Sequence, residues 1–235
     1  MSRLRLSAAV LFGLAAASPA LAQQTNMTDV PPPPASLIQP AAANRGVPVA
    51  KLNAAQRATL GRISDYVNSI QTMVANFTQV GPDGRRTNGT LYLDKPGKIR
   101  FQYAAPSQLE IISDGDSVAV RNRKLNTQDL YPLSQTPLRF LLQKRIDLLQ
   151  DANVIGVFQD PEIVSVILEE KRAIGGKSQL QLMFGGADYK LQSWTVTDAR
   201  GGETTVALDS IDTARKPDPR VFRINRQGVV RGGPR

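Results

Sequence analysis

Apolar positions along the chain follow first a helical and then an alternating period. Leu60, Ile63, Val67 and Ile70 recur at i, i+3, i+7 and i+10, one stripe of an amphipathic helix. Asn53 and Gln56 stand at capping-box spacing ahead of it, so the helix starts there and ends near Ile70. Asp65, Asn68 and Ser69 lie off the stripe. From Val74 the period becomes two, which predicts strands over 74–80, 90–93, 99–103, 109–113, 118–120 and 128–133. A second set follows over 154–159, 163–170, 179–184, 191–197, 204–209 and 221–224. Pro82-Asp83-Gly84, Asp114-Gly115, Gly175-Gly176, Gly185-Gly186 and Gly201-Gly202 separate them as turns. Between the two sets, Thr136-Pro137 reads as an N-cap and N1 proline opening a short helix that carries Leu138, Leu141 and Leu142.

One long helix, a short central helical insert and about ten or eleven strands joined by hairpins predict a mainly β fold with some α. A large antiparallel sheet needs one face covered, and the few helices must do that. A sheet of this width curls, so sheet and helical lid together enclose an apolar space where a ligand would sit.

The organisation outside this unit is simpler. Arg3 and Arg5 precede a short apolar run from Ala8 to Ala17, and Ala20-Leu21-Ala22 is an A-x-A site, so 1–22 is expected to be a signal peptide cleaved before Gln23. The run is too short for a bilayer span, which takes about 20 apolar residues. Gln23 rather than Cys at the new terminus implies a mature chain without a lipid of its own. Residues 23–50 are rich in Pro and Ala and read as a disordered linker, 51–225 as one folded domain, and 226–235 as a flexible basic tail.

Composition then narrows the chemistry. The 235 residues include no His and no Cys, which removes His-based triads and acid–base pairs, His-ligated metals, thiol nucleophiles, disulfides and iron–sulfur ligation. No cofactor is expected. Adjacent carboxylates at Asp114 and Asp116, or at Glu169 and Glu170, do not make a glycosidase pair, because the first sits at a tight turn and the second splits across two strand faces. The composition favours binding over catalysis. Without Arg3 and Arg5 the formal charge of +9 falls to +7, a basic surface better suited to anionic headgroups or an acidic partner than to nucleic acid.

The clean alternations nominate the walls of the apolar space. Leu91 and Leu93 share one strand face, and Ile99, Phe101 and Tyr103 share another. Ile111, Val118 and Val120 extend the lining, with Leu182 and Phe184 or Leu191 and Trp194. Ile63, Val67 and Ile70 supply the lid helix, and Leu138, Leu141 and Leu142 the central lid. Arg100, on the opposite strand face, is expected at the surface.

Several short motifs occur in a fixed order: Phe77-Thr78-Gln79, Gly89-x-Leu91-x-Leu93, Lys95-Pro96-Gly97-Lys98-Ile99-Arg100-Phe101-x-Tyr103, Pro106, Ile112-Ser113-Asp114-Gly115 and Thr136-Pro137-Leu138. Together with the stretch from Ala214 to Ile224, they resemble the periplasmic carrier of outer-membrane lipoproteins, LolA, over about residues 52–225. The resemblance implies an unclosed half-barrel with helices over its concave face. It also implies a periplasmic chaperone, expected as a monomer, that takes lipoproteins from an inner-membrane lipoprotein-releasing transporter to an outer-membrane acceptor. Family members often place an Arg before the motif's Pro, where it latches the lid to helix backbone; Lys95 stands there, without the planar fork. On this reading Ile99→Glu or Phe101→Glu abolishes cargo binding in a folded protein. The rival reading is a lipid- or lipoprotein-sensing regulatory module of the envelope, which would depend on a second domain for its membrane partner.

Overall fold

A computed structural model describes residues 52–170, 176–226 and 230–231. The expected signal peptide, the Pro-rich linker and most of the basic tail lie outside them. Helix α1 is Ala54–Ser69. Its start is a complete capping box: Asn53 Oδ1 accepts from the Gln56 N–H at 2.8 Å, and Gln56 Oε1 accepts from the Asn53 N–H at 3.0 Å.

Six strands follow: β1 Thr72–Val80, β2 Arg86–Asp94, β3 Lys98–Tyr103, β4 Leu109–Asp114, β5 Ser117–Asn122 and β6 Thr127–Pro132. A helical crossover then contains a 3₁₀ turn at Leu133–Gln135, α2 at Arg139–Leu142 and α3 at Leu148–Asp151. Five more strands are β7 Val154–Gln159, β8 Ile163–Glu170, β9 Ser178–Gly185, β10 Leu191–Thr197 and β11 Glu203–Asp212. A 3₁₀ turn at Pro219–Phe222 and the two-residue β12, Val230–Arg231, close the described chain.

All the described strands belong to one sheet, in the order β12-β6-β5-β4-β3-β2-β1-β11-β10-β9-β8-β7. The first eleven pair antiparallel, and β12 runs parallel to β6. The chain therefore winds outward from β1 to one edge at β6, crosses to the other edge at β7, and winds back until β11 pairs with β1. β6 and β7 do not pair, so the barrel stays open.

Curvature decides which face is inside. Phe101 on β3 and Trp194 on β10 are four strand steps apart, roughly 19 Å along a sheet with strands about 4.8 Å apart. Their ring centroids nevertheless lie 6.2 Å from each other, edge on. The sheet is curled until these two side chains meet across the concave face, and the core sits there under α1 and the crossover. Gly89 makes the tightest part possible. It pairs with Phe77 and Tyr103 on either side, whose rings meet at 5.1 Å, and a Cβ on Gly89 would lie 2.1 Å from the Gln102 carbonyl oxygen.

Three expectations need correction. The segment read as a strand over 221–224 is instead the end of a 3₁₀ turn, Pro219–Phe222, followed by irregular chain; Asp218 Oδ1 caps the turn, accepting from the Arg220 N–H at 2.9 Å. It lies on the sheet's convex face against β3 and β4, whose hydrogen-bonding edges are already taken by their neighbours. Thr136 does not cap α2; its hydroxyl donates back to the Leu133 carbonyl at 2.9 Å, and the helix starts at Arg139 without a side-chain cap. Part of the tail expected to be flexible is engaged: Arg226 pairs with Asp114 at 3.1 Å, and Val230 and Arg231 pair with Thr127 and Gln128 of β6.

Candidate functional site

The site is the space between the concave sheet face and its lid. Alternation puts Leu91, Leu93, Ile99, Phe101 and Tyr103 on that face, and the pairings Leu91 with Phe101, Phe101 with Ile111 and Ile111 with Val120 carry it across four strands. From the other half come Leu182, Phe184, Leu191, Trp194, Val206 and Leu208. Burial of a side chain of this size is worth about 1.5–3 kcal/mol, so the lined face strongly favours being covered.

The cover leaves little room beneath it. A cavity of about 30 Å³ remains between lid and sheet, room for two or three water-sized bodies. Leu91, Leu93, Ile99, Trp194, Val67, Ile70, Leu141 and Lys95 border it. Phe101, Tyr103, Ile111, Val118 and Phe184, with Ile63, Leu138 and Leu142, pack in the surrounding core. Tyr66, Met73 and Leu208 also border the cavity and were not selected from the sequence. Tyr66 stands four residues before Ile70, and Met73 continues the alternation of Ala75 and Phe77 backwards, so spacing contained the signal for both. Ile99 is 1% exposed and Phe101 0%, so a carboxylate at either position would be buried unpaired and would unfold the protein, contrary to the sequence expectation.

One polar group enters this lining with a charge. Lys95, 8% exposed, donates from Nζ to the Val67 carbonyl at 2.6 Å. That carbonyl belongs to the last turn of α1, where helix geometry leaves it without an N–H partner and the helix dipole favours a cation. Burial lowers the Lys95 pKa from 10.5 to about 8. Two residues on, Gly97 donates its N–H to the Leu142 carbonyl at 2.8 Å. A single tight turn between β2 and β3 thus holds α1 through Lys95 and α2 through Gly97. Gly97 has φ +77°, and a Cβ there would lie 2.7 Å from the Gly115 Cα, so glycine is required.

The two lid pieces are also bonded to each other. Asn68 donates from Nδ2 to the Ile146 carbonyl at 2.9 Å and accepts the Ile146 N–H on Oδ1 at 2.8 Å. Ser64 accepts the Leu148 N–H at 3.1 Å. At its start α1 rests on the sheet edge through Gln56 Nε2 to the Val157 carbonyl, 3.2 Å, and Thr59 to Gln159, 2.8 Å. The crossover is tied to the end of β8 where Arg139 donates to Glu170 Oε2 from Nε at 2.8 Å and from Nη2 at 2.5 Å. Polar links between lid and sheet are therefore few; apart from the Lys95 bond to Val67 in the lining, the interior contact is apolar.

Elsewhere three of the carboxylates weighed from the sequence, Asp114, Glu169 and Glu170, have partners. Asp114 accepts from the Ser117 N–H at 2.9 Å and from Arg226, and Glu169 pairs with Lys177 at 2.6 Å. Arg100 is not a free surface residue: it pairs with Glu110 at 2.6 Å and donates to the Val221 carbonyl at 3.0 Å. Among the described residues no cluster of three or more His, Cys, Asp or Glu could hold a metal, and no helix is long and apolar enough to cross a membrane.

Comparison with known proteins meets this geometry from another side. The family model described as outer membrane lipoprotein carrier protein LolA matches residues 68–225. An outer-membrane lipoprotein carrier protein of Alkalilimnicola ehrlichii is 36% identical over 185 residues, covering 75% of this chain and 82% of its own. One of Leptothrix cholodnii is 27% identical over 157 residues, covering 63% and 72%. Among solved structures, an uncharacterized conserved protein from Thermus thermophilus superposes with a TM-score of 0.45 at 14% identity over 76% of this chain and 99% of that one. The matched span runs from the last turn of α1 to just past the 3₁₀ turn that follows β11, and with it the chain belongs to the LolA family of outer membrane lipoprotein carrier proteins.

Proposed function

We propose that this protein is a periplasmic chaperone that shelters the acyl chains of lipoproteins between the concave sheet face and the lid. On this reading it passes them from an inner-membrane lipoprotein-releasing transporter to an outer-membrane acceptor. The observation that carries the reading is an apolar concave face covered by a lid that meets it mainly through apolar side chains, with Lys95 the charged fastening in the lining. Leu91, Leu93, Ile99, Phe101, Tyr103, Ile111, Val118, Phe184 and Trp194 form the wall, the α1 and α2 stripes form the lid, and Lys95 is the latch.

A cavity of about 30 Å³ cannot hold an acyl chain, so cargo enters only when the lid lifts. Lifting α1 re-exposes Leu60, Ile63, Val67 and Ile70, at about 1.5–3 kcal/mol each, or on the order of 6–12 kcal/mol together. A long acyl chain gains about 0.8 kcal/mol per buried methylene, roughly 10 kcal/mol or more. The two quantities are of the same size. The lid therefore competes with cargo for the same surface, which keeps binding reversible and lets a tighter acceptor take the cargo without nucleotide.

The test mixes purified protein with spheroplasts and follows lipoproteins into the soluble fraction. Release of lipoproteins in complex with the protein is expected; none released would sink the carrier reading. Depletion in cells separates the rival: mislocalised lipoproteins indicate a carrier, and altered stress transcription alone indicates a sensor.

A further inference from the structure

The convex face carries a second concavity, one that sheltering acyl chains leaves unused. After β11 the chain crosses this face as a strap. Phe222, 2% exposed, seats it; Arg100 Nη1 holds the Val221 carbonyl at 3.0 Å; and Arg226 pairs with Asp114 at 3.1 Å. Between these fastenings residues 223–225 bridge a cleft of about 190 Å³, several times the space left under the lid. Its floor is a row across the sheet: Glu110 on β4 pairs in register with Arg121 on β5, and Arg121 with Gln128 on β6.

The polar groups there do not balance. Glu110 is engaged by Arg100 at 2.6 Å. Arg121 Nε is buried with no hydrogen-bond partner, and so is Arg100 Nε. Gln128 is 5% exposed, and among the described residues its side-chain amide has no partner. Arg223, on the exposed strap, lines the same cleft; it makes no salt bridge among the described residues, and the Asp218 carboxylate feels its charge only at longer range. Three guanidinium groups thus surround one carboxylate, and donors without acceptors converge from β5, β6 and the strap. Buried donors without partners are rare and costly in folded proteins, and two of them, Arg121 Nε and Arg100 Nε, share this one hollow.

We propose that this cleft binds a phosphate-type oxyanion through Arg121, Arg223 and the Gln128 amide. Guanidinium groups match phosphate oxygens bidentately, and a tetrahedral anion offers acceptors toward three separate elements, where a planar carboxylate would satisfy one fork. The volume exceeds that of a bare ion and accommodates a phosphate ester, so the anion comes either as free phosphate or as a phospholipid headgroup. Neither depends on the apolar cavity.

The experiment titrates the full chain with inorganic phosphate by calorimetry, beside Arg121→Gln, Gln128→Leu and Arg123→Gln. Arg123 is exposed and two residues from Arg121, so its variant removes the same charge outside the cleft. Arg121→Gln is expected to weaken phosphate roughly tenfold or more, and Arg123→Gln by less than about twofold. Absence of binding in the unaltered protein, or equal losses in the two arginine variants, would overturn the site. If Arg121→Gln fails to fold, Arg223→Gln on the exposed strap gives the same reading. Sedimentation with phosphatidylglycerol and phosphatidylcholine vesicles then identifies the source. Arg121-dependent capture by phosphatidylglycerol alone supports a headgroup, and phosphate binding without vesicle capture supports the free anion.

Discussion

Lys95 should give the closed protein a distinctive pH response. Its folded pKa is about 8 against 10.5 for an ordinary lysine, because the ammonium is taken out of water. Below pH 8 both folded and unfolded chains hold the proton, and the contribution is flat. Between about 8 and 10.5 the unfolded chain holds a proton that the folded chain has lost, so stability rises with pH. From pH 7 to pH 9.5 the gain is about 2 kcal/mol. Lid opening follows the same sign, since opening returns Lys95 to water; the 2.6 Å bond to Val67 offsets part of the cost of holding the charge inside. The assay is urea unfolding of the native protein and Lys95→Met in steps across that range. Burial raises the phenol pKa values of Tyr66, Tyr103 and Tyr131, which lowers stability once tyrosines in the unfolded chain ionise, but both proteins share that trend and it cancels in the difference. The native protein should gain about 2 kcal/mol relative to Lys95→Met as pH rises through the window. Parallel pH curves would refute the assignment of a charged lysine beneath the lid.

Three further substitutions probe the closure. Phe101→Ala should cost about 3–5 kcal/mol in urea unfolding, because the ring is fully buried against Phe77 and Trp194; a loss under about 1 kcal/mol would mean the sheet is not closed around that contact. Asn68→Ala removes both hydrogen bonds to Ile146 and should loosen the crossover from α1 by about 1–3 kcal/mol, read as faster exchange of the Ile146 amide. Unchanged exchange would show that the two lid pieces do not move as one. Gly97→Ala meets a positive φ and the Gly115 backbone together, so thermal stability should fall by the equivalent of more than about 1 kcal/mol; an unaltered Tm would contradict the close turn.

Much of this architecture is legible in local pattern. β7, β8 and β10 begin and end where alternation between turn residues puts them, and the capping box starts α1 where Asn53 and Gln56 require. These features depend on residues a few positions apart, and the forces that produce them act over that range. The Val221-x-x-Ile224 stretch shows the limit. Three apolar residues in four make it read like a short strand, but a strand needs a free neighbouring edge, and that segment lies flat on a face.

Most of the cavity border was likewise visible, as Leu91, Leu93, Ile99 and Trp194 with Val67, Ile70, Leu141 and Lys95. Periodicity shows that a side chain faces inward but not how far inward, so Phe101 and Ile111 read the same as Leu93 although they pack in the core. Asn68 gave no signal at all, because its importance lies in a loop 78 residues away. Arg100 reads as a surface charge because nothing near it in sequence announces the strap that covers it.

Local pattern suffices for the inventory: one capped helix, antiparallel strands, an inward apolar face and chemistry limited by the absence of His and Cys. The strand order, the meeting of Phe101 with Trp194, the bond from Lys95 to Val67 and the covered cleft on the convex face emerge only once the chain is folded. Those depend on the direction and degree of sheet curl, a sum of small twists over eleven strand pairings, and no single segment encodes that sum.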